Sequence, residues 1–199
     1  MPPGAPQRLH CAGPRDRNAR LTRLLLPYKG IYGQTRRICE RLQSELVPLG
    51  VRADVVPLEQ ATDLAPYDAC VLGASIRHGK HHPAVLEFIR RHRDWLESHP
   101  SGFFSVNLVA RKPEKNTPET NQYVRQFVSR SPWKPPLLGV FGGELDYPRY
   151  GFVDRTAIRF IMWLTKGPTD VTQRYEFTDW AAVQGFAARI AGHVRAPAG

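Results

Sequence analysis

Leu24-Leu25-Leu26-Pro27-Tyr28-Lys29-Gly30-Ile31-Tyr32-Gly33-Gln34-Thr35 is the stretch on which the reading of this chain turns. An apolar run meets a proline, turns through two glycines, and resumes as a helix-type pattern from Gln34-Thr35-Arg36-Arg37-Ile38. Strand, tight loop and helix N-terminus follow in that order. The first turn of a helix leaves backbone N–H groups without carbonyl partners and carries partial positive charge, which suits a phosphate. The loop is not a Walker A sequence, because no Lys-Ser or Lys-Thr follows its last glycine. It also lacks the third glycine of G-x-G-x-x-G. Taken alone, it reads equally as an ordinary strand-to-helix turn.

Downstream, apolar residues recur at Ile38, Leu42, Leu46 and Leu49, a helix stopped by Pro48 and Gly50. Residues 51–56 alternate and close at Pro57, a second strand, and 58–68 form a connection. Ala69-Cys70-Val71-Leu72-Gly73 is a short apolar run of the buried parallel kind, followed by a polar loop, 74–82. Pro83 begins a helix, 102–109 form a strand, 110–118 a loop, and Glu119–Ser129 a helix. Residues 137–141 are a further strand, ending in Gly142-Gly143-Glu144-Leu145-Asp146-Tyr147. This alternation predicts an α/β fold, an open parallel sheet with helices on both faces and right-handed crossovers. Ligands in such folds lie beyond the carboxyl ends of the strands. The loops 27–35, 73–82, 105–117 and 142–150 should therefore converge on one edge.

Residues 152–164 are unusually apolar, with Arg155, Arg159 and Lys166 along one face and Tyr147, Arg149 and Tyr150 just upstream. A basic stripe beside an aromatic face is what a helix lying in a membrane interface needs, and this one is too short to span. A helix packed on the sheet is the plain alternative. Arg174–Phe177 is strand-like, and Thr178 or Asp179 caps a last amphipathic helix, Trp180–His193.

The chain of 199 residues fits one domain, with 42% hydrophobic and 23% charged residues. Its net charge of +10 is high and favours an acidic partner: a membrane surface, a nucleic acid, or a carboxylate or phosphate ligand. Residues 1–20, rich in Pro, Gly, Ala and Arg without a period, read as a disordered basic tail, and 21–199 as the folded domain. Cys11, Cys39 and Cys70 lack metal or redox spacing, and their sparse, odd count points to a reducing compartment. No run is long and apolar enough to span a bilayer, and no signal-peptide core is present, so the expected location is cytoplasmic.

Tyr32-Gly33-Gln34-Thr35-Arg36, Gly73-Ala74-Ser75-Ile76-Arg77 and above all Ser105-Val106-Asn107-Leu108-Val109-Ala110-Arg111-Lys112-Pro113-Glu114-Lys115 resemble the flavodoxin-type, quinone-dependent protoporphyrinogen IX dehydrogenases. Tyr147-Pro148-Arg149-Tyr150 and Thr178-Asp179-Trp180 continue the likeness, which covers residues 22–194. The resemblance implies a flavodoxin-like sheet of order 2-1-3-4-5 binding FMN at its switch point. It implies that Lys29, Gly30, Ile31, Tyr32, Gly33, Gln34 and Thr35 cradle the FMN phosphate. Ser75, Ile76, Arg77, His78 and Gly79, with Ser105, Val106, Asn107 and Leu108, would flank the ring. Gly142, Gly143, Glu144, Asp146 and Tyr147 would form a further wall, and the apolar, basic helical segment near 147–167 would be an insertion.

The implied reaction removes hydrogens from protoporphyrinogen IX to give protoporphyrin IX, in haem biosynthesis, with electrons passing through FMN to menaquinone or ubiquinone. The implied location is the cytoplasmic face of the inner membrane, held peripherally, with a homo-oligomer left open. The substrate's two propionates and an anionic membrane would both be drawn to a basic rim of Arg77, Lys80, Arg111, Lys112 and Arg149. Arg77, Arg111 and Arg149, with Lys112 beside them, are the expected propionate anchors, since guanidinium pairs with carboxylate in bidentate fashion. Family members usually carry a hydroxyl residue where Gly30 stands and an aromatic where His78 stands, so the phosphate would lose one hydrogen bond here.

His78, His81 and His82 lack a further ligand at sensible spacing, so no metal is expected. Ser75 and Ser105 lack a His–Asp pattern, and no general base stands out, leaving His78 as a weak candidate beside the flavin and water. A diffusible flavodoxin-like electron carrier without its own organic substrate is the alternative function, although such carriers tend to be acidic. A nucleic-acid partner is not expected, because no recognisable module for one is present.

Overall fold

The apolar run and its continuation form strand β1, Thr22–Lys29, in the computed structural model, which describes residues 21–196. The tail expected over residues 1–20 lies outside the described residues. After the glycine loop come helix α1, Gln34–Leu46, a single 3₁₀ turn, and strand β2, Val51–Pro57. Gly50 ends that turn in the left-handed region, φ 70°, where a side chain is strained. Strand β3, Ala69–Arg77, is followed by the two-residue β4, Lys80–His81, then α2, Pro83–Arg91, and α3, Arg93–Ser98. Strand β5, Ser101–Asn107, helix α4, Gln122–Arg130, and strand β6, Leu137–Gly142, complete the main sheet. Strand β7, Glu144–Asp146, helix α5, Phe152–Leu164, strand β8, Arg174–Glu176, and helix α6, Trp180–Arg195, follow.

The parallel strands run in the order β2-β1-β3-β5-β6. That is the expected 2-1-3-4-5 arrangement once the short antiparallel β4, hung on the end of β3, is set aside. Both faces are covered. On one, Leu24, Leu26, Val71 and Phe104 pack with Ile38, Leu42 and Leu46 of α1 and Phe186 and Ile190 of α6. On the other, Leu25, Cys70, Leu72 and Phe103 pack with Val85 and Ile89 of α2, Leu96 of α3 and Phe127 of α4. Alternate residues of one strand thus feed two cores, which is why the strands read as unbroken apolar runs.

Several boundaries differ from the sequence reading. β1 runs on to Lys29, into the expected loop 27–35, because Pro27 and Tyr28 still pair with β2. β3 runs four residues past Gly73, because residues 74–77 still pair with β5 or β4. β5 stops at Asn107 rather than 109, where the Asn107 side chain accepts the Ala110 N–H at 3.0 Å and starts a 3₁₀ turn. α4 begins at Gln122 rather than Glu119, because Asn121 caps it by accepting from the N–H groups of Tyr123 and Val124. At the last helix Asp179, not Thr178, is the cap.

Candidate functional site

The loops after β1, β3, β5 and β6 meet, as their topology requires, around a cleft of about 440 Å³. Its position at the carboxyl ends of the strands, beside the reversal of strand order between β1 and β3, is where open α/β sheets hold ligands.

At one end of the cleft lies the start of α1. Gly33 is the helix's N-cap at φ 95°, and the first helical bond runs from the Arg37 N–H to the Gly33 carbonyl at 3.0 Å. The amides of residues 34–36 therefore lie outside the helical ladder, and the first turn carries neither an acidic residue nor a side-chain cap. Thr35 is buried beneath this turn. A Cβ added to Gly30 would stand 2.6 Å from the Thr35 hydroxyl and 3.6 Å from that of Ser75. Glycine at position 30 is thus what lets two hydroxyls approach the loop. Lys29 turns the other way and pairs with Glu59, whose carboxyl its hydrogen bond holds below the usual range.

Residues 77–80 form a tight hairpin between β3 and β4. His78 at φ 48° and Gly79 at φ 77° both occupy the left-handed region that such two-residue turns need. Asp154 of α5 meets this hairpin twice, 3.2 Å from Arg77 and 3.5 Å from the His78 Nε2. Arg111, after β5, donates to the Leu108 carbonyl at 3.0 Å and to both the hydroxyl (2.7 Å) and the carbonyl (3.2 Å) of Thr165. Burial lowers its pKa from the ordinary guanidinium value. Arg149 donates to the Tyr32 carbonyl at 3.1 Å. Three arginines from three loops thereby fasten α5 and its leading turn to the sheet's edge.

α5 is the long wall of the cleft. Val153, Asp154, Ala157, Ile158, Ile161, Met162 and Thr165 face inward at helical spacing. The opposite arc is apolar as well, with Phe152 81%, Phe160 61% and Trp163 67% exposed. Its end is closed by a Schellman pair, Gly167 N–H to the Met162 carbonyl and Lys166 N–H to the Trp163 carbonyl.

The three clustered histidines diverge. His78 faces Asp154 at the mouth of the cleft, and His82 caps α2 by accepting the Ala84 N–H. His81 turns inward, 3.0 Å from the Ser105 hydroxyl and edge-on to Phe103 and Phe127. Burial pushes the His81 imidazole down to about 4 from an ordinary 6.5. Between those values the unfolded chain takes up a proton that the folded one refuses. The stability that goes with a neutral His81 is therefore complete above pH ~6.5 and drains away as the pH falls toward 4, by at most about 3 kcal/mol. Urea denaturation at pH 7 and pH 4.5 should show the loss, and His81→Gln should flatten it.

Of the residues expected at the site, Ile31, Tyr32, Gln34, Thr35, residues 75–79, Val106, Asn107, Leu108, Arg111, Gly143 and Glu144 line the cleft. Gln34 does so with its amide already held by Thr178 at 2.7 Å and Glu176 at 3.0 Å. Lys29, Gly30, Gly33, Ser105, Gly142, Asp146, Tyr147, Lys112 and Arg149 stand outside the lining. Ser105 lies behind it, Tyr147 is buried with its hydroxyl on the Pro168 carbonyl, and Gly142 abuts the Phe177 backbone so closely that a Cβ would meet its carbonyl at 2.1 Å. The sequence reading missed Val109, Tyr123, Tyr150, Asp154 and the inward row of α5. Asp154, Ile158, Ile161 and Thr165 share one arc by their spacing, a signal that groups the row without saying which arc faces inward. Tyr150 packs edge-on to Tyr32 at 4.8 Å, and burial pushes its phenol up to about 12, so it is a neutral wall. Cys39 and Cys70 are buried in the two cores, and burial raises both thiols well above their ordinary value.

Comparison with known proteins agrees with this geometry. Residues 25–172 match the flavodoxin domain family. The chain is 48% identical over 161 residues to the Escherichia coli K12 protein named protoporphyrinogen IX dehydrogenase [quinone], covering 80% of this chain and 89% of that one. A Leishmania major protein of the same name is 45% identical over 170 residues, covering 84% of this chain and 74% of its own. Among solved structures, the Desulfovibrio gigas rubredoxin oxygen:oxidoreductase superposes over 87% of this chain and 36% of its own, with a TM-score of 0.50 at 10% identity, a likeness of fold alone. A flavin-type cleft on a doubly wound sheet, walled by α5 and matched over four-fifths of the sequence, places this chain in the flavodoxin-type protoporphyrinogen IX dehydrogenase [quinone] family.

Proposed function

We propose that this protein is an FMN-dependent oxidoreductase that converts protoporphyrinogen IX to protoporphyrin IX and delivers the electrons to a membrane quinone. The observation that carries the reading is the single cleft that joins unladdered α1 amides at one end to an apolar α5 wall at the other. The donor set fits a phosphorylated flavin: the amides of residues 34–36, the Thr35 and Ser75 hydroxyls, and no carboxylate in the first turn. Glu144 and Asp154 are the acidic residues of the lining, and both are ion-paired, Glu144 with Arg37 at 3.5 Å and with Arg174, and Asp154 with Arg77 at 3.2 Å. Bound FMN would supply hydride and electron transfer.

The chain's own residues bind, orient and exclude water. The 75–79 hairpin and 106–109 would flank the ring, and Ile158, Ile161 and Met162 would close over it. Arg77 and Arg149 have N–H groups without a partner among the described residues, and Lys80 and Lys112 lie close by in sequence. Together they give the mouth a positive field for a dicarboxylate substrate. His78, 3.5 Å from Asp154 and with its side chain 74% exposed, is a candidate proton carrier at the mouth. Anaerobic assay of FMN-loaded protein with protoporphyrinogen IX should give porphyrin fluorescence at a rate that depends on added quinone. FMN binding with reductase-driven reduction but no porphyrinogen turnover would favour the electron-carrier reading.

The exposed arc of α5 supports peripheral docking on an anionic membrane. Phe152, Phe160 and Trp163 form an apolar face flanked by Arg159 and Lys166, while no helix among the described residues is long and apolar enough to cross a bilayer. The double variant Phe160→Ser/Trp163→Ser should lose sedimentation with phosphatidylglycerol-containing vesicles. Its stability should change by less than about 0.5 kcal/mol, because these side chains are already in water. Wild-type binding should weaken as salt is raised.

A further inference from the structure

Behind the cleft runs a chain of buried polar side chains whose donors and acceptors can be counted. Ser105 is fully buried at the end of β5. Its hydroxyl oxygen is 3.0 Å from the His81 Nε2 and accepts from the Asn107 Nδ2 at 3.3 Å. The Asn107 Oδ1 accepts twice, from the Ala110 N–H at 3.0 Å and from the Asn121 Nδ2 at 3.2 Å. Asn121 spends its other amide proton on the Lys115 carbonyl at 2.8 Å, and its oxygen on the cap of α4.

Two assignments follow. Two N–H donors on its oxygen fix the orientation of the Asn107 amide without ambiguity. Ser105 then has one proton to give and, among the described residues, one acceptor for it, the His81 Nε2. Were His81 to donate instead, the buried hydroxyl would hold two donors and no acceptor for its own proton. His81 is therefore the acceptor, with its proton on Nδ1. Every amide proton of Asn107 and Asn121 now has a partner among the described residues except one, the second N–H of Asn107. Asn107 lines the cleft and is 4% exposed.

We propose that His81 is a positioning residue. By taking the Ser105 proton it locks the Asn107 carboxamide, so that the remaining Asn107 N–H is a fixed donor facing the cleft for a carbonyl or ring nitrogen of a planar heteroaromatic ligand. The proposal rests on the flavin reading of the cleft for the identity of that ligand, but not for the positioning itself. His81 is not itself part of the cleft lining. Its effect is exerted through Ser105 and then Asn107.

The test uses the full chain and four variants: His81→Leu, His81→Gln, Asn107→Ala, and the double variant His81→Leu/Asn107→Ala. In the ligand-free protein, the side-chain amide protons of Asn107 should give two resolved, slowly exchanging NMR signals. His81→Leu should speed their exchange at least tenfold, and His81→Gln, which restores an acceptor oxygen, should slow it again. Fluorescence titration should show His81→Leu weakening FMN about three- to tenfold, the worth of one neutral hydrogen bond. Riboflavin, which lacks the phosphate, should weaken by the same factor, since the loss is at the ring. The double variant should bind no worse than Asn107→Ala alone. Unchanged Asn107 exchange in His81→Leu, or additive losses in the double variant, would overturn the proposal. Failure of the wild type to bind either flavin would overturn the flavin reading and the ligand class, and the exchange rates would still decide the positioning.

Discussion

Replacing Phe104 by Ala should lower the unfolding free energy by about 3–5 kcal/mol, the usual cost of emptying a buried aromatic site. Phe104 is fully buried on the interior strand β5, edge-on to Phe141 at 5.6 Å and to Phe186 of α6 at 6.2 Å. Its ring fills the space above Gly73, where a Cβ would meet it at 2.3 Å. The ring neighbours that could collapse into the hole, Phe141 and Phe186, are themselves held by a strand and a helix, so relaxation is limited. The reverse change, Gly73→Ala, should cost about 1–3 kcal/mol by overpacking the same contact. Urea denaturation reads both, and an unfolding midpoint for Phe104→Ala close to the wild type would show that this core repacks far more freely than its geometry implies.

The second large effect is on the site. Arg111→Ala should cut catalytic efficiency with the porphyrinogen about ten- to a hundredfold, chiefly by raising KM. The arginine joins the loop after β5 to the last turn of α5 through Thr165, and a cation on the final carbonyls of a helix is favourable in its own right. A hydrogen bond to a charged group is worth about 1.5–3 kcal/mol, and losing the set frees the end of the wall that closes the cleft. Arg111→Lys should restore little, because an ammonium cannot reproduce the fork. Thr165→Val separates the two roles open to this residue. If Arg111 acts by holding α5, Thr165→Val shares most of the defect. If it instead meets a substrate carboxylate, Thr165→Val is nearly silent.

Much of the fold was legible because its signals are local. Gly30 and Gly33 mark the first turn, while Pro27, which reads as its start, lies within β1 and pairs with β2, and Gly50 and Pro57 bracket β2. The further reach of β3 was hidden because Ser75 and Arg77 look like loop residues. They are held as strand by pairing with Val106 and with Lys80 of β4, partners that a local pattern does not reveal. The start of α4 slipped by three residues because Asn121 is a stronger cap than anything at position 119.

At the site, the convergence of four loops could be read from alternation alone, but the direction of each side chain could not. Arg77 finds Asp154, 77 positions away, and Arg111 finds Thr165, 54 away. Lys29 is turned from the loop by Glu59. α5 was the hardest to orient, because it is apolar on both arcs, so its periodicity names no inside.

That double apolarity has a spatial consequence. One arc of α5 is the lining of the cleft and the other is the outer skin of the molecule, so the partition between them is a single helix, about 10 Å through. If the outer arc rests against lipid, a greasy molecule passing around the edge of α5 would cross from oil to reaction chamber in the width of one helix, without a stage in bulk water. The same thinness would set an electron's journey: a flavin beneath the inner arc and a ring held at the bilayer surface would be separated by about the width of α5.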